Sequence, residues 1–188
     1  MKQALALAPP VLVTRRMPRI VVLPLSALKE AIQAHAPSHL VTLLGPDYMI
    51  ETPNGFPTAR HLRLEMHDVI EASEALSPSS VHVAELLAFA RTWDARSPML
   101  VHCWAGISRS MAAAFAILCD RMGPGSELGI AQEMRRRAPH ADPNRLLVEC
   151  ADTALARGGR MVAAIEAIGR GKLAAEGHPV EFDLAGLS

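Results

Sequence analysis

One ten-residue stretch, VHCWAGISRS at 101–110, combines residue types that can carry out nucleophilic chemistry on an anion. Cys103 supplies a thiol, Arg109 follows six residues later with a planar cation, and Ser110 adds a hydroxyl. A thiol becomes a strong nucleophile when a neighbouring positive charge stabilises its thiolate. The stretch therefore has two interpretations: a buried structural cysteine followed by an ordinary turn, or a nucleophile inside an anion-binding loop.

The segments on either side favour the second interpretation. PMLVHC at 98–103 is a short apolar run, typical of a strand at the centre of a covered sheet. A helix is predicted from about residue 110, because apolar residues recur at helical spacing: Met111, Phe115, Leu118 and Met122. The N-terminus of a helix carries unpaired N–H groups and a partial positive charge, so the loop 104–109 is predicted to bind an anion.

Each residue of this loop has a predicted role. Gly106 permits a tight turn with positive φ, and the fork of Arg109 matches two phosphate oxygens. Cys103 lies at the floor, where Ser110 is predicted to donate a hydrogen bond to the thiolate and to stabilise it as a leaving group. The ligand is predicted to contact the loop from its first residue to its last: Trp104, Ala105, Gly106, Ile107, Ser108 and Arg109.

HCWAGISRS resembles the signature loop HCxxGxxR(S/T) of cysteine-dependent protein tyrosine phosphatases, especially the compact dual-specificity-like branch and its bacterial members. The resemblance covers approximately residues 60–150 and, more loosely, 19–170. It implies a phosphatase that uses a cysteinyl-phosphate intermediate and needs neither cofactor nor metal. It also implies that His102 organises hydrogen bonds around the nucleophile, and that phosphate, sulfate or vanadate would occupy the loop.

The same resemblance implies a general acid, an aspartate some thirty residues before the cysteine. Asp68, in the sequence EMHDVIEA, lies 35 residues before Cys103 and directly after a predicted strand at 60–66. The Trp-Pro-Asp motif of the larger classical tyrosine phosphatases is absent. Glu65 and Glu71 are alternative acids, and an ordinary turn or capping role is the alternative for Asp68.

A third fragment, RRRAPHADPNRLL at 135–147, resembles the segment that packs behind the signature loop in this family. The match implies that Asn144 hydrogen-bonds the loop backbone and holds its shape. The alternative is an asparagine in a first helical turn, facing solvent. Asp142 is predicted to cap that helix, with Pro143 in its first turn. The arginines at 135–137 are predicted to form the solvated C-terminal end of the preceding helix.

Strand and helix patterns alternate through the first two thirds of the chain, and helices dominate the remainder. Strands are predicted at 19–25, 39–45, 60–66 and 98–103. Helices are predicted at 26–35, 77–93, from 110, and at 126–137, 143–157 and 160–169. This order predicts an α/β fold, with a central mostly parallel sheet flanked by helices, as in dual-specificity phosphatases. The predicted organisation is a flexible leader at 1–18, a phosphatase domain at 19–170, and a tail at 171–188 that adds an edge strand or is disordered.

Composition argues against several classes of protein. Lys+Arg and Asp+Glu are both 19, so the chain has no excess of basic residues. Its charge therefore predicts neither a nucleic acid nor a membrane partner. The three cysteines show no CxxC spacing, so neither a disulfide framework nor a zinc site is expected, and Cys119 and Cys150 are predicted core residues. No apolar run approaches the roughly 20 residues that span a bilayer. A cytoplasmic protein with free thiols is predicted.

The loop interior also bears on the substrate. Residues 104–108 are neutral, which favours a group with a single phosphate. Phosphotyrosine on a protein is the predicted substrate, ahead of phosphoserine or phosphothreonine, a small phosphometabolite or a phosphoinositide. Trp104 either lines the pocket mouth or packs against the neighbours of the loop. Three other classes stay open: a phosphate-binding pseudophosphatase, a rhodanese-type sulfurtransferase and an arsenate reductase.

Overall fold

Strands and helices are interspersed as far as the central helix, and the chain is mostly helical afterwards. The computed structural model describes residues 19–72 and 75–184, so the predicted leader at 1–18 lies outside the described residues. The strands are β1 (Arg19–Pro24), β2 (His39–Leu44), β3 (His61–Glu65), β4 (Met99–Cys103) and β5 (Val180–Asp183). The helices are α1 (Leu28–His35), α2 (Ser80–Thr92), α3 (Arg109–Met122), α4 (Glu127–Arg137), α5 (Arg145–Ala154) and α6 (Arg160–Ile168).

The strands form one sheet in the order β3-β2-β4-β1-β5. The first four are parallel to their neighbours, and β5 pairs antiparallel with β1. Pro24 at the end of β1 lies opposite Cys103 at the end of β4. The carboxyl ends of the parallel strands therefore meet at one edge of the sheet, which is the edge where open α/β sheets bind ligands.

Both faces of the sheet are covered. Alternate residues of the central strands pack under α1 on one face: Val21, Leu23, Leu40 and Leu100. The residues between them pack against helices α2 to α6 on the other face: Ile20, Val22, Val41, Met99 and Val101. Because both faces are covered, the sequences of the central strands are almost continuously apolar and do not alternate between apolar and polar residues.

Helix α3 lies at the centre of the helical layer. Every residue from Arg109 to Cys119 is buried, and the small side chains of its alanines let neighbouring helices approach. A helix that is covered all round has no solvated face, so its N-terminus is held firmly where the loop 104–108 joins it. Within the described residues, no helix combines the length and the apolar character needed to cross a membrane.

The predicted starts of α2 and α5 differ from the structure because of their caps, and α1 begins at Leu28, after a 3-10 turn at Leu25–Ala27. Helix α2 begins at Ser80, since Ser79 caps it by accepting a hydrogen bond from the backbone N–H of His82. Asn144, rather than Asp142, caps α5, and its side-chain oxygen lies 3.0 Å from the backbone nitrogen of Leu147. For α2 and α5 the capping residue is the one after the proline, because proline restricts the residue before it to extended conformations.

The arginine cluster at the end of α4 is not simply solvated. Arg136 is exposed and pairs with Glu133, as expected for a helix surface. Arg135 instead donates hydrogen bonds to four backbone carbonyls, those of Pro139, Ala141, Ile168 and Gly169. The prediction of a solvated helix end is therefore wrong for Arg135, because its guanidinium satisfies carbonyls that follow α4 and end α6.

Strand β5 shows that residues after 170 contribute to the core. Phe182 is fully buried in the main hydrophobic cluster, so we expect Phe182→Ala to lower the free energy of unfolding by about 3–5 kcal/mol. Urea denaturation measures this change. Val81→Ala, at a position 62% exposed on α2, is the control and should change stability by less than about 0.5 kcal/mol. A loss below about 1 kcal/mol for Phe182→Ala would contradict the packing of β5.

Candidate active site

Cys103 ends β4, and the five-residue loop 104–108 connects it to the first residue of α3. Its side chain is buried with the core of the sheet, at 1% exposure. The Cys103 Sγ lies 3.1 Å from the Oγ of Ser110 in the first turn of α3. The thiol, the hydroxyl and the helix N-terminus are therefore brought together at the sheet edge, as the sequence predicts.

The peptide groups of the loop are held in a defined orientation. Four of the five loop carbonyls accept hydrogen bonds from backbone N–H groups outside the loop, over 2.8–3.4 Å. Leu25 donates to Trp104, Gly177 to Ala105, Asp142 to Ile107, and both Ala112 and Asn144 to Ser108.

The orientation of those carbonyls also fixes the amide groups. The carbonyl of one residue and the N–H of the next belong to one planar trans peptide and point in opposite directions. With the carbonyls turned outward, the N–H groups that follow them face the inside of the loop. Those of Ala105, Gly106 and Ser108 have no acceptor among the described residues. Several convergent N–H groups at a helix N-terminus form a binding site for an anion.

Gly106 is required by the close approach of this loop to β1. It adopts a φ of +70°, which disfavours other residues. A Cβ atom at this position would lie 2.7 Å from the backbone nitrogen of Pro24 and 2.8 Å from the carbonyl carbon of Leu23. Both neighbours belong to the backbone of a central strand and cannot move aside. The positive φ agrees with the prediction for Gly106.

Arg109 is anchored on one side and available on the other. Its side chain is 8% exposed, and its Nη1 donates to the Met66 carbonyl at 2.8 Å. Its Nε lies 3.5 Å from Oδ2 of Asp68, is buried, and makes no hydrogen bond within the described residues. A buried guanidinium N–H normally has a partner. The geometry of Arg109 therefore fits an anion bound through its Nε edge.

Asp68 lies in the segment after β3 and reaches over the loop. Its Oδ1 accepts hydrogen bonds from the Ser108 hydroxyl at 2.6 Å and from the side-chain amide of Asn144 at 2.9 Å. Its other oxygen faces Arg109. The carboxylate, 36% exposed, is thus held beside the candidate anion cradle, which is the pocket formed by Cys103 and residues 104–109. The two alternative acids are exposed and make no hydrogen bond to the loop: Glu65 and Glu71.

Asn144 contacts the loop differently from the expectation. Its backbone N–H, not its side chain, lies 3.4 Å from the Ser108 carbonyl. Its side-chain amide donates to Asp68 and to the Val69 carbonyl, while its side-chain oxygen caps α5. Asn144 is also 3% exposed, so the solvent-facing alternative is wrong. Its side chain positions the segment that carries Asp68.

A chain of four side chains extends from the nucleophile into the sheet. His102 is fully buried, with Nδ1 3.4 Å from the Cys103 carbonyl and Nε2 2.7 Å from the Thr42 hydroxyl. The same hydroxyl lies 2.8 Å from Nε2 of His61. The other ring nitrogen of His61 lies 3.0 Å from the Thr52 hydroxyl. These contacts link β2, β3 and β4 directly behind Cys103.

One proton arrangement satisfies the whole chain. Because Nδ1 of His102 donates to a carbonyl, its Nε2 must accept from the Thr42 hydroxyl. That hydroxyl can then accept from Nε2 of His61, whose Nδ1 accepts from Thr52. Both rings are neutral in this arrangement. Burial lowers the pKa of His102 to about 4 and that of His61 to about 4, which agrees with neutral rings at pH 7.

Sequence reasoning identified His102 but missed Thr42, His61 and Thr52. One signal was present, since Thr42 is the single hydroxyl in the apolar strand HLVTLL. A polar side chain in a strand that is buried on both faces needs a hydrogen-bond partner. The identity of that partner depends on which strands lie beside β2.

Two exposed aromatic rings flank the cradle. Trp104 is 53% exposed and Tyr48 is 59% exposed, and their ring centroids are 4.7 Å apart at an interplanar angle of 60°. Trp104 is the first residue after the nucleophile, so its ring lies at the loop and its contact is with an exposed neighbour rather than with the core. The ring of Trp104 thus packs against a neighbour of the loop, while about half of the residue stays exposed.

The other cysteines lie away from this arrangement. Cys119 is buried in the core, as predicted, and Cys150 is half-buried. Burial raises the pKa of both thiols, which leaves them protonated and unreactive at neutral pH. The described residues contain no group of three or more histidine, cysteine, aspartate or glutamate side chains placed to hold a metal ion.

The neutral histidines predict a specific pH dependence. Because the pKa of His61 is about 4 in the folded state and about 6.5 in the unfolded state, unfolded chains bind the proton first as the pH falls. The free energy of unfolding should therefore decrease between about pH 6.5 and 4. In His61→Gln, the free energy of unfolding should fall by about 3 kcal/mol less between pH 7 and 4 than it does in the parent protein. Urea denaturation at each pH measures this free energy.

His67→Gln provides the matched control for that experiment. His67 is exposed and lies outside the hydrogen-bonded chain of His102, Thr42, His61 and Thr52, so its replacement should not reproduce the effect of His61→Gln. An unaltered profile for His61→Gln would show that its imidazole does not stay neutral in the folded protein.

Comparisons with known proteins identify the fold. No family model and no curated protein matches the chain. The solved structure of Cydia pomonella PTP-2 phosphatase matches with a TM-score of 0.54 at 16% identity, covering 71% of this chain and 84% of that one. PTPMT1 matches with a TM-score of 0.51 at 18% identity, covering 75% and 94%. PTPMT1 in complex with PI(5)P matches with a TM-score of 0.51 at 19% identity, covering 73% and 91%. The predicted fold class is confirmed.

Proposed function

Because the chain has the fold of protein-tyrosine-phosphatase-like proteins, we propose that it hydrolyses phosphomonoesters through a cysteinyl-phosphate intermediate. One observation carries the proposal. A buried thiol, a hydroxyl 3.1 Å from it, a guanidinium whose buried Nε makes no hydrogen bond within the described residues, and a carboxylate surround a single anion cradle. They belong to Cys103, Ser110, Arg109 and Asp68. A structural cysteine in an ordinary turn would require none of these neighbours.

Substrate binding uses the loop itself. The inward N–H groups of 104–109 and the Nε edge of Arg109 hold the phosphate dianion of the substrate. These dipoles are already oriented before the substrate arrives, so little reorganisation opposes the charge of the transition state. The chemistry proposed here uses them in place of a metal ion.

In the first step the Cys103 thiolate attacks phosphorus in line with the leaving oxygen. The S–P bond forms as the P–O bond to the leaving group breaks. Asp68, protonated at the start, gives its proton to the leaving oxygen, which departs as an alcohol or phenol. The phosphoryl group remains on Cys103, with its oxygens bound by the loop.

In the second step a water molecule attacks the cysteinyl-phosphate. Asp68, now ionised, accepts a proton from this water, and the S–P bond breaks to give inorganic phosphate. The Ser110 hydroxyl donates a hydrogen bond to the departing thiolate. The free enzyme is thereby restored with Asp68 protonated and Cys103 ionised.

Phosphotyrosine on a protein is the substrate that we propose. The neutral side chains at 104–108 add no cation for a second phosphate, and the exposed rings of Tyr48 and Trp104 offer a surface for a phenyl group. One similar structure is a complex with PI(5)P, which makes a phosphoinositide the second candidate. The three free cysteines support our proposal of a reducing compartment, the cytoplasm.

Hydrolysis of p-nitrophenyl phosphate in EDTA tests the nucleophile. The parent protein should be active, and Cys103→Ser should lower kcat by at least about 10³-fold, because serine at this position has no comparable anion. Cys150→Ser, at a half-buried position of α5 away from the cradle, should retain activity within about twofold. Dependence on a metal, or an active Cys103→Ser, would refute the mechanism.

The acid is tested by varying the leaving group. We expect Asp68→Asn to lower kcat on phenyl phosphate by about 10²–10⁴-fold and to lower it much less on a nitrophenyl ester. A poor leaving group needs the proton, whereas a good one departs without it. Glu71→Gln serves as the control, and its kcat relative to the parent protein should be the same on both esters. Equal losses of Asp68→Asn on both esters would assign Asp68 a structural role.

A further inference from the structure

A groove of about 580 Å³ opens beside the proposed active site. Asp68, Ile107 and Ser108 line both the groove and the cradle. Its volume lies within the range of small-molecule pockets in proteins. Because the groove shares residues with the cradle, a molecule whose phosphate is bound by the loop can also reach into the groove.

The wall of the groove away from the loop is aliphatic. It is formed by helices α5 and α6, through Val148, Val162 and Ile165. No aromatic ring lines the groove, so it offers no stacking surface for a base or a sugar. Branched aliphatic side chains on two helices instead form a preformed surface that gains free energy by removing an apolar group from water.

The charges around the groove are already paired. Nη2 of Arg145 lies 2.8 Å from Glu166, and Nη2 of Arg170 lies 3.1 Å from Asp142. Each guanidinium that lines the groove therefore has a carboxylate partner, and Asp68 adds a further acid. Such a rim favours a neutral occupant over a second phosphate. It also opposes approach to an anionic lipid surface, which attracts clusters of unpaired Lys and Arg.

We propose that this groove binds an aliphatic side chain of a phosphoprotein substrate, on a residue close in sequence to the phosphorylated one. The inference rests on the proposed function. A peptide satisfies each property of the groove: its phosphate reaches the loop, an aliphatic side chain fills the apolar wall, and its backbone N–H and C=O groups meet the carboxylates and guanidiniums of the rim. An acyl chain has no polar group with which to contact this charged rim.

The size of the effect follows from the burial of one side chain. Complete burial of a leucine or valine corresponds to roughly a 10- to 100-fold gain in kcat/KM. We therefore expect a phosphotyrosine peptide with leucine at the favoured position to exceed its asparagine counterpart by this factor. Asparagine has a similar size and shape but gains nothing from an apolar wall.

The experiment measures kcat/KM for a panel of phosphotyrosine peptides in which leucine or asparagine is placed at each position from three before to three after the phosphotyrosine. Val162→Trp narrows the groove at its aliphatic wall, and Ile165→Asn reduces the apolar character of that wall without adding bulk. Val81→Trp, on the exposed surface of α2 and outside the groove, is the matched control. Thermal unfolding verifies that each variant is folded.

The expected result is a leucine preference at one position that both groove variants abolish and Val81→Trp retains. Absence of a preference in the parent protein, or its survival in a folded groove variant, overturns the inference. A lipid would be the occupant instead if the groove variants lost activity on phosphoinositide vesicles but kept the parent's ratio of kcat/KM between leucine and asparagine peptides. That result overturns the inference. Hydrolysis of p-nitrophenyl phosphate by the parent separates these outcomes from failure of the proposed function, because that ester has no group that reaches the groove.

Discussion

The outward orientation of the carbonyl groups in the loop 104–108 is the constraint on which the site depends. A flexible loop of this length would turn its peptides at random, and its N–H groups would not converge. Here the carbonyls are held by hydrogen bonds from segments far apart in the chain, which follow β1, precede α5 and precede β5. Several separate parts of the fold therefore hold one small loop in shape. Its peptide dipoles are oriented when the protein folds, so they do not have to reorganise when an anion binds.

The charged groups around the cradle are positioned by the same kind of contact. The Met66 carbonyl holds one side of Arg109, and the buried Nε on its other side faces Asp68. The Asn144 side chain holds Asp68 while it also caps α5. A helix start, the proposed acid and the loop are thus coupled through one asparagine. Behind the nucleophile, neutral His102 and its hydrogen-bonded neighbours occupy a region where a charged imidazole would be costly.

The surroundings of the cradle differ from one side to the other. Exposed aromatic rings of Tyr48 and Trp104 lie on one side, and an aliphatic groove between α5 and α6 adjoins Asp68 and Ser108. Neither feature carries unpaired positive charge. The proposed preference for a single phosphate on a partly apolar polypeptide follows from this arrangement, because each additional phosphate would lack a counter-charge.

The sequence by itself determined the elements and the local chemistry. Apolar periodicity located the strands and helices to within a few residues, and the spacing of Cys103, Gly106 and Arg109 between a strand and a helix pointed to the loop that we propose binds phosphate. These are short-range properties, because a strand, a turn and a helix start each depend on residues close together in the chain.

Tertiary structure alone decided which distant groups meet. Asn144 contacts an aspartate 76 residues away, Arg109 a carbonyl 43 residues away, and Thr42 two histidines on neighbouring strands. Strand β5 and the groove likewise depend on elements separated in sequence. Such contacts follow from strand order and helix packing, and periodicity carries no information about either, since it reports only which face of an element is buried.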